Sequence, residues 1–385
     1  MNTLFSDLER TDERPKPYGE TSFSYLDRSA RVEVVRIRQV LERWYREYPD
    51  ISGDLRARFR SPDEIPHHSA TFELYLYTLL GSLRFSVDVH PETPSVRNTK
   101  PDFLATNGSG SSFYLEAVLA LDSSAGQQAA DRRMSVLYDQ IEKIRNRDFF
   151  LVLTSRGNLD SQPSGKKLRR ELEKWLESLN PDAIDGADLS ALPECEWSHE
   201  GCKLTFRALP RSPEARGRPD IRVIGTQIAE PQWLSTWQSV RDSVISKGGR
   251  YGELGKGLVV AVNVAGHLDR IDEMQALFGQ EQYLVSMDRL QDAPEFRRVP
   301  NGAWFGPEGP RYKGVSAVMM FSDIHPWTLG VRGVTIYLNP WARYPISGPL
   351  LALDHAGTQD GRLHRTTGKK PFEILGLPEG WPIIA

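Results

Sequence analysis

The sequence predicts an α/β protein built around a mixed sheet, and three observations carry that prediction. DFLAT and FYLEAVLA read as strands flanking the turn Asn-Gly-Ser-Gly-Ser-Ser. FFLVLTS and GLVVAVNV are continuous apolar runs, the composition of strands covered on both faces. Between these runs lie stretches with apolar residues at the three-to-four spacing of a helix. Residues 69–155 therefore read as helix, strand, strand, strand, helix, strand.

Taken in order, residues 1 to about 28 look irregular. Residues 29–48 form an amphipathic helix on Val34, Ile37, Leu41 and Trp44. A proline-containing connector ends at Pro66, and the next helix, ATFELYLYTLLGSLRF, takes Ser69 as its cap. FSVDVHPE alternates like a strand. After the two strands around the Gly/Ser turn, residues 126–146 are helical on Ala130, Met134, Leu137, Ile141 and Ile144, and FFLVLTS follows. Further on come a charged helix (KKLRRELEKWLESL), strands CKLTFRALP and IRVIGT, a helix over 232–248, the strand GLVVAVNV, a helix over 269–278, and strands VSAVMMFSD and GVTIYLNP. The last forty residues are rich in Gly and Pro and read as loops. The chain divides into an N-terminal segment with one helix (1–66), an α/β core (67–158), and a C-terminal α/β region (159–385) that packs on the core or forms a second domain.

With 385 residues the chain has room for two domains at roughly 150 residues each. A formal net charge of −3 excludes a globally basic, DNA-coating protein but not an enzyme with a local basic channel. No apolar run approaches a transmembrane helix, so no membrane partner is expected. The polar N-terminus has no signal-peptide core, and two cysteines in a chain this size suit a reducing compartment, so a cytoplasmic location is expected.

Three carboxylates occupy unfavourable surroundings. Asp102 follows Pro101 at the head of one strand, Glu116 interrupts the apolar run of the next, and Glu73 has Leu76, Tyr77 and Leu80 at i+3, i+4 and i+7. A lone ionised carboxylate in such a place costs several kcal/mol. Three of them sharing one divalent cation is a better explanation than three separate ion pairs, and oxygen-only ligands suit Mg²⁺ or Mn²⁺.

This arrangement resembles the PD-(D/E)XK, or restriction-endonuclease-like, nuclease superfamily. Its members have an αβββαβ core with a glutamate on the first helix, an aspartate after proline, and a glutamate on the next strand. Here those positions are Glu73, Pro101-Asp102 and Glu116, with a fourteen-residue step between the last two. The resemblance covers under a quarter of the chain. It implies metal-dependent hydrolysis of phosphodiester bonds in nucleic acid, DNA ahead of RNA, in a setting such as restriction or phage defence. The family's lysine, two residues after the strand glutamate, is Val118 here. Family members can supply a substitute from the following helix, which makes Gln140 and Lys143 catalytic candidates; Arg132 lies on the same helix. Lys100, Arg133, Lys247 and Arg250 are candidate substrate contacts. If no residue replaces the lysine, the alternative is an inactive nuclease-like module that binds nucleic acid or protein. A protein partner or a homodimer belongs among the partner expectations.

Other motifs read more plainly. Cys195, His199 and Cys202 have zinc-ligand chemistry but no fourth ligand at usual spacing, and CEWSHEGC reads as a hairpin with a Gly turn. In SKGGRYGELGKG, Gly248-Gly249 ends a helix, and Arg250, Tyr251 and Lys256 either match its dipole or meet phosphates. His67-His68 form a polar start to their helix. Trp327, Tyr337, Trp341 and Tyr344, with Arg332 and Arg343, read as core aromatics ahead of a base-stacking surface.

Overall fold

The computed structural model describes residues 3–94, 99–121, 125–218, 221–229, 236–266, 268–284, 295–359 and 362–383. The fold is mixed α/β with a large mixed sheet. It divides into two compact units. The first comprises residues 1–12, 21–122 and 235–385, and the second residues 13–20 and 123–234. The second unit is an insertion: the chain leaves the first unit after residue 122 and returns at 235.

In chain order, the first unit begins with α1 (Ser22–Arg28), α2 (Val32–Glu47), α3 (Asp54–Phe59), α4 (Glu64–Ser82), β1 (Ser86–Val89), β2 (Phe103–Thr106) and β3 (Ser112–Ala120). The second unit contributes α5 (Ala125–Ile141), β4 (Phe149–Gly157), α6 (Gly165–Glu177), β5 (Glu194–His199), β6 (Cys202–Pro210) and β7 (Ile224–Ala229). The first unit resumes with α7 (Thr236–Gly248), β8 (Gly257–Val264), α8 (Arg270–Phe278), β9 (Glu281–Leu284), β10 (Glu295–Arg298), β11 (Phe305–Gly306) and β12 (Gly309–Pro310). It closes with β13 (Val315–Ser322), β14 (Val334–Leu338), β15 (His355–Gln359), β16 (Arg362–Thr366) and α9 (Pro371–Leu375).

The eight-stranded sheet of the first unit runs β1-β2-β3-β8-β13-β14-β15-β16. β1, β2 and β3 form an antiparallel meander, and β8 then pairs parallel with β3, Glu116 opposite Val260. β8 and β13 also pair in parallel and are buried almost throughout, as strands covered on both faces must be. Period-two alternation sorts β3 between two cores. Phe113 and Leu115 face the side packed by α2 and α4, while Tyr114 and Ala120 face the side packed by Trp237, Val240 and Val244 of α7. Glu116 falls on the α7 side by the same alternation.

Several local expectations change. α4 begins at Glu64, two residues before Pro66, because a proline in the first turn loses no intrahelical hydrogen bond; Ser69 is inside the helix rather than its cap. α1 and α3 occupy stretches read as irregular or connecting. β15, β16 and α9 lie in a tail read as loops, with β15 and β16 paired antiparallel. The expected helix over 232–248 is seen from Thr236, and its residues 232–235 lie outside the described ones.

The second unit has its own sheet, β5-β6-β4-β7, and its own core, with Leu137, Ile141, Phe149, Leu151, Leu168, Leu172 and Phe206 fully or almost fully buried. CEWSHEGC forms the expected hairpin: β5 pairs with β6, Gly201 takes the positive-φ turn position, and both cysteines are free thiols. No described helix is long and apolar enough to cross a membrane.

Candidate active site

The three carboxylates picked out in the sequence come from adjacent elements of the first unit. The β2–β3 register pairs Phe103 with Leu115, so one residue further along Asp102 stands across from Glu116. There Asp102 Oδ2 accepts a hydrogen bond of 2.7 Å from the Ala117 amide, and its backbone oxygen accepts one of 2.8 Å from His90. Glu73 and Glu116 are buried, at 4% and 2% exposure.

Each glutamate is held by a tyrosine and a cation. The Tyr48 hydroxyl donates to Glu73 Oε1 at 2.5 Å, and Arg58 Nη2 donates to Oε2 at 2.7 Å. Lys247 Nζ donates to Glu116 Oε1 at 2.5 Å, with Arg250 Nη1 3.6 Å from the same oxygen, and the Tyr251 hydroxyl donates to Oε2. Burial and then the neighbouring glutamate charge raise both tyrosine hydroxyls, so both stay protonated donors. Burial alone would lower Arg58, but Glu73 and Asp54 reverse that and keep the guanidinium charged.

Asp102 sits between these clamps with a single backbone donor. Its carboxyl is pushed up to about 8, first by burial, then by Glu116 and by Glu73. The Asp102 charge also acts on both the Tyr48 and the Tyr251 hydroxyls, raising them further. Asp102 is thus within reach of the charges of both Glu73 and Glu116, and its carboxyl holds its proton at neutral pH. Among the described residues no three His, Cys, Asp or Glu side chains stand ready arranged around an ion; the four glutamate oxygens are taken by Tyr48, Arg58, Lys247 and Tyr251.

Lys247 reaches Glu116 because of how its helix ends. Gly248 closes α7 with no room for a side chain: a Cβ there would lie 2.8 Å from Val315 Cγ2. The Gly249 and Arg250 amides bond back to Ile245 and Lys247 carbonyls. This places Lys247, Arg250 and Tyr251 within one turn of chain before β8.

The other candidates have surroundings of their own. Gln140 and Lys143, the candidates for replacing the missing lysine, belong to the second unit. There Gln140 packs against Gly165 of α6, whose added Cβ would meet Gln140 Cγ at 2.7 Å, and Lys143 is exposed just past α5. Arg133, in the same unit, donates to the Leu159 carbonyl at 2.7 Å. In the first unit, Lys100 pairs with Glu92 at the surface, 2.5 Å apart. Lys247 and Arg250, the other candidate substrate contacts, lie on Glu116. His67 is buried with Nδ1 2.5 Å from the Phe59 carbonyl, and Tyr337 is a core residue donating to Glu273.

Sequence reasoning missed Tyr48, Arg58 and His90 altogether. His90 sits at positive φ, +48°, with Nε2 4.0 Å from Glu73 Oε1. Tyr251 lay in a flagged stretch, but nothing in a linear pattern signals that its hydroxyl meets a carboxylate 135 positions earlier.

Comparison with family models, with curated proteins and with solved structures returned no match.

Proposed function

We propose that the first unit is a metal-dependent nuclease of the PD-(D/E)XK type that hydrolyses phosphodiester bonds, with DNA as the first substrate to test. The observation that carries this reading is Asp102: a carboxyl raised by burial and by two neighbouring carboxylates, from separate elements, with a lysine on one of them. Three carboxyl groups this close, one of them with no cation of its own, form an oxygen-rich cluster that a divalent cation would stabilise in its ionised form. The order α4, β1, β2, β3, then α7 and the parallel strand β8 supports the resemblance, with residues 123–234 inserted before the second helix. In that order the helix following the meander is α7, so Lys247 takes the part of the family lysine, whose own position is Val118 here.

The donor set fits a hard divalent cation: oxygen only, three carboxylates, Asp102 central. Glu73, Asp102 and Glu116 would hold Mg²⁺ or Mn²⁺, which when bound polarises the scissile phosphate and lowers the pKa of a water. The chain's own groups do the rest. Tyr48 and Arg58 fix the rotation of the Glu73 carboxyl, and Tyr251 fixes that of Glu116. Lys247 donates to a phosphate oxygen as negative charge develops there. Burial of Glu73 and Glu116 limits competing water. Defence against foreign DNA, as in restriction, is a setting in which this activity makes sense.

The test is incubation of supercoiled DNA and of RNA with the full chain and Mg²⁺ or Mn²⁺. Scission that EDTA abolishes supports the reading, and no scission of either substrate overturns it. An inactive module of the same fold is the second reading, favoured by the engagement of all four glutamate oxygens inside the protein.

A further inference from the structure

We propose that Lys247 is a built-in stand-in for the cation: its ammonium group holds Glu116 Oε1 in the resting arrangement and leaves that oxygen when a divalent ion binds. This rests on the metal-binding reading above and adds to it a two-position lysine that is released by the metal.

The argument is one of occupancy and charge. Glu116 is almost fully buried, and its Oε1 has Lys247 Nζ at 2.5 Å, a direct contact on the atom a metal would need. A metal–oxygen bond of about 2.1 Å leaves no space for an ammonium nitrogen at that distance in the same direction. Arg250, at 3.6 Å, is a looser neighbour of that oxygen, and it is about half exposed where the Lys247 side chain is 20% exposed. Tyr251 holds the other oxygen and need not move. Lys247 stands at the end of α7 on a long, unbranched stem, followed by Gly248 and Gly249, so the head group can swing while the helix stays in place. Neutralising Glu116 in the absence of metal removes an unpaired buried charge. Release of the ammonium on metal binding then provides a donor beside the new ion, where a phosphate would lie.

The experiment is Mn²⁺ titration by calorimetry of the full chain, comparing wild type with Lys247→Met, Lys247→Gln and Arg250→Met, each first checked for cooperative melting. Direct competition makes both Lys247 variants bind Mn²⁺ about tenfold tighter than wild type, equivalent to about 1.4 kcal/mol. The Arg250 variant, which loses the same charge without vacating the ligand oxygen, changes much less. In EDTA the Lys247 variants melt below wild type, and saturating Mn²⁺ narrows that gap. Equal tightening in the Lys247 and Arg250 variants would reduce the effect to general charge and overturn the displacement. Weaker binding by the Lys247 variants overturns it as well, while leaving the metal reading intact. If wild type and all variants fail to bind Mn²⁺, both the displacement and the metal reading fall.

Discussion

Replacing Asp102 by asparagine removes one negative charge from the middle of the carboxylate cluster and keeps an oxygen to accept the Ala117 amide bond. For a structural carboxylate this would be a loss. Here it should be a gain, because the folded protein holds the Asp102 carboxyl near 8 against 3.8 for the free side chain. A raised carboxyl favours folding most below its unfolded value, and that advantage is lost as pH rises through the folded value. At pH 7 most of the shift has accumulated, and at about 1.4 kcal/mol per unit wild type forgoes ~4 kcal/mol relative to a neutral group. Urea unfolding in EDTA should therefore find Asp102→Asn more stable than wild type at pH 7, by an amount of that order. The advantage should shrink steadily as pH falls and vanish only below about pH 3, where Asp102 is protonated in both states. Mn²⁺ should stabilise wild type and not the variant. A variant less stable than wild type at pH 7 in EDTA, or a difference that does not change with pH, would refute the reasoning.

Other expectations follow from the same geometry. Arg58→Met leaves the buried Glu73 carboxylate with Tyr48 and the more distant His90 and should destabilise the protein by about 3 kcal/mol; adding Glu73→Gln should recover most of that, measured by a double-mutant cycle in urea. Tyr251→Phe deletes only the hydroxyl on Glu116 and should raise the Mg²⁺ concentration for half-maximal cleavage several-fold while leaving the melting temperature within a few degrees. Gly257→Ala should cost about 1–3 kcal/mol, since its Cβ would lie 2.5 Å from Ser316 Oγ and 3.0 Å from the Tyr344 carbonyl; thermal melting checks it.

The carboxylate positions were legible because burial pattern and charge conflict locally: Glu73 interrupts a helix that is apolar on nearly every side, and Glu116 interrupts a buried strand. The strand order was not. FFLVLTS and GLVVAVNV are both continuous apolar runs, and either could hydrogen-bond beside β3. The nearer in sequence lies in the second unit's sheet and the farther pairs with β3. That choice is made by long-range packing, which no window of residues contains. It also decides that α7, with Lys247, is the helix whose end meets Glu116, whereas the linear order points to the helix that carries Gln140 and Lys143. Tyr48 and Arg58 escaped notice for a related reason. They are ordinary residues beside a helix end and in a short helix, and only the fold brings them to Glu73.

The most direct measurement is the rate of Mg²⁺-dependent strand scission of supercoiled plasmid by wild type against Glu116→Gln, at enzyme in excess over DNA. Wild type should nick the plasmid only when Mg²⁺ or Mn²⁺ is present, and Glu116→Gln, folded and melting cooperatively, should be slower by at least ~100-fold. An intact plasmid under all metal conditions, or scission by Glu116→Gln at the wild-type rate, would contradict the assignment of these carboxylates to phosphodiester hydrolysis.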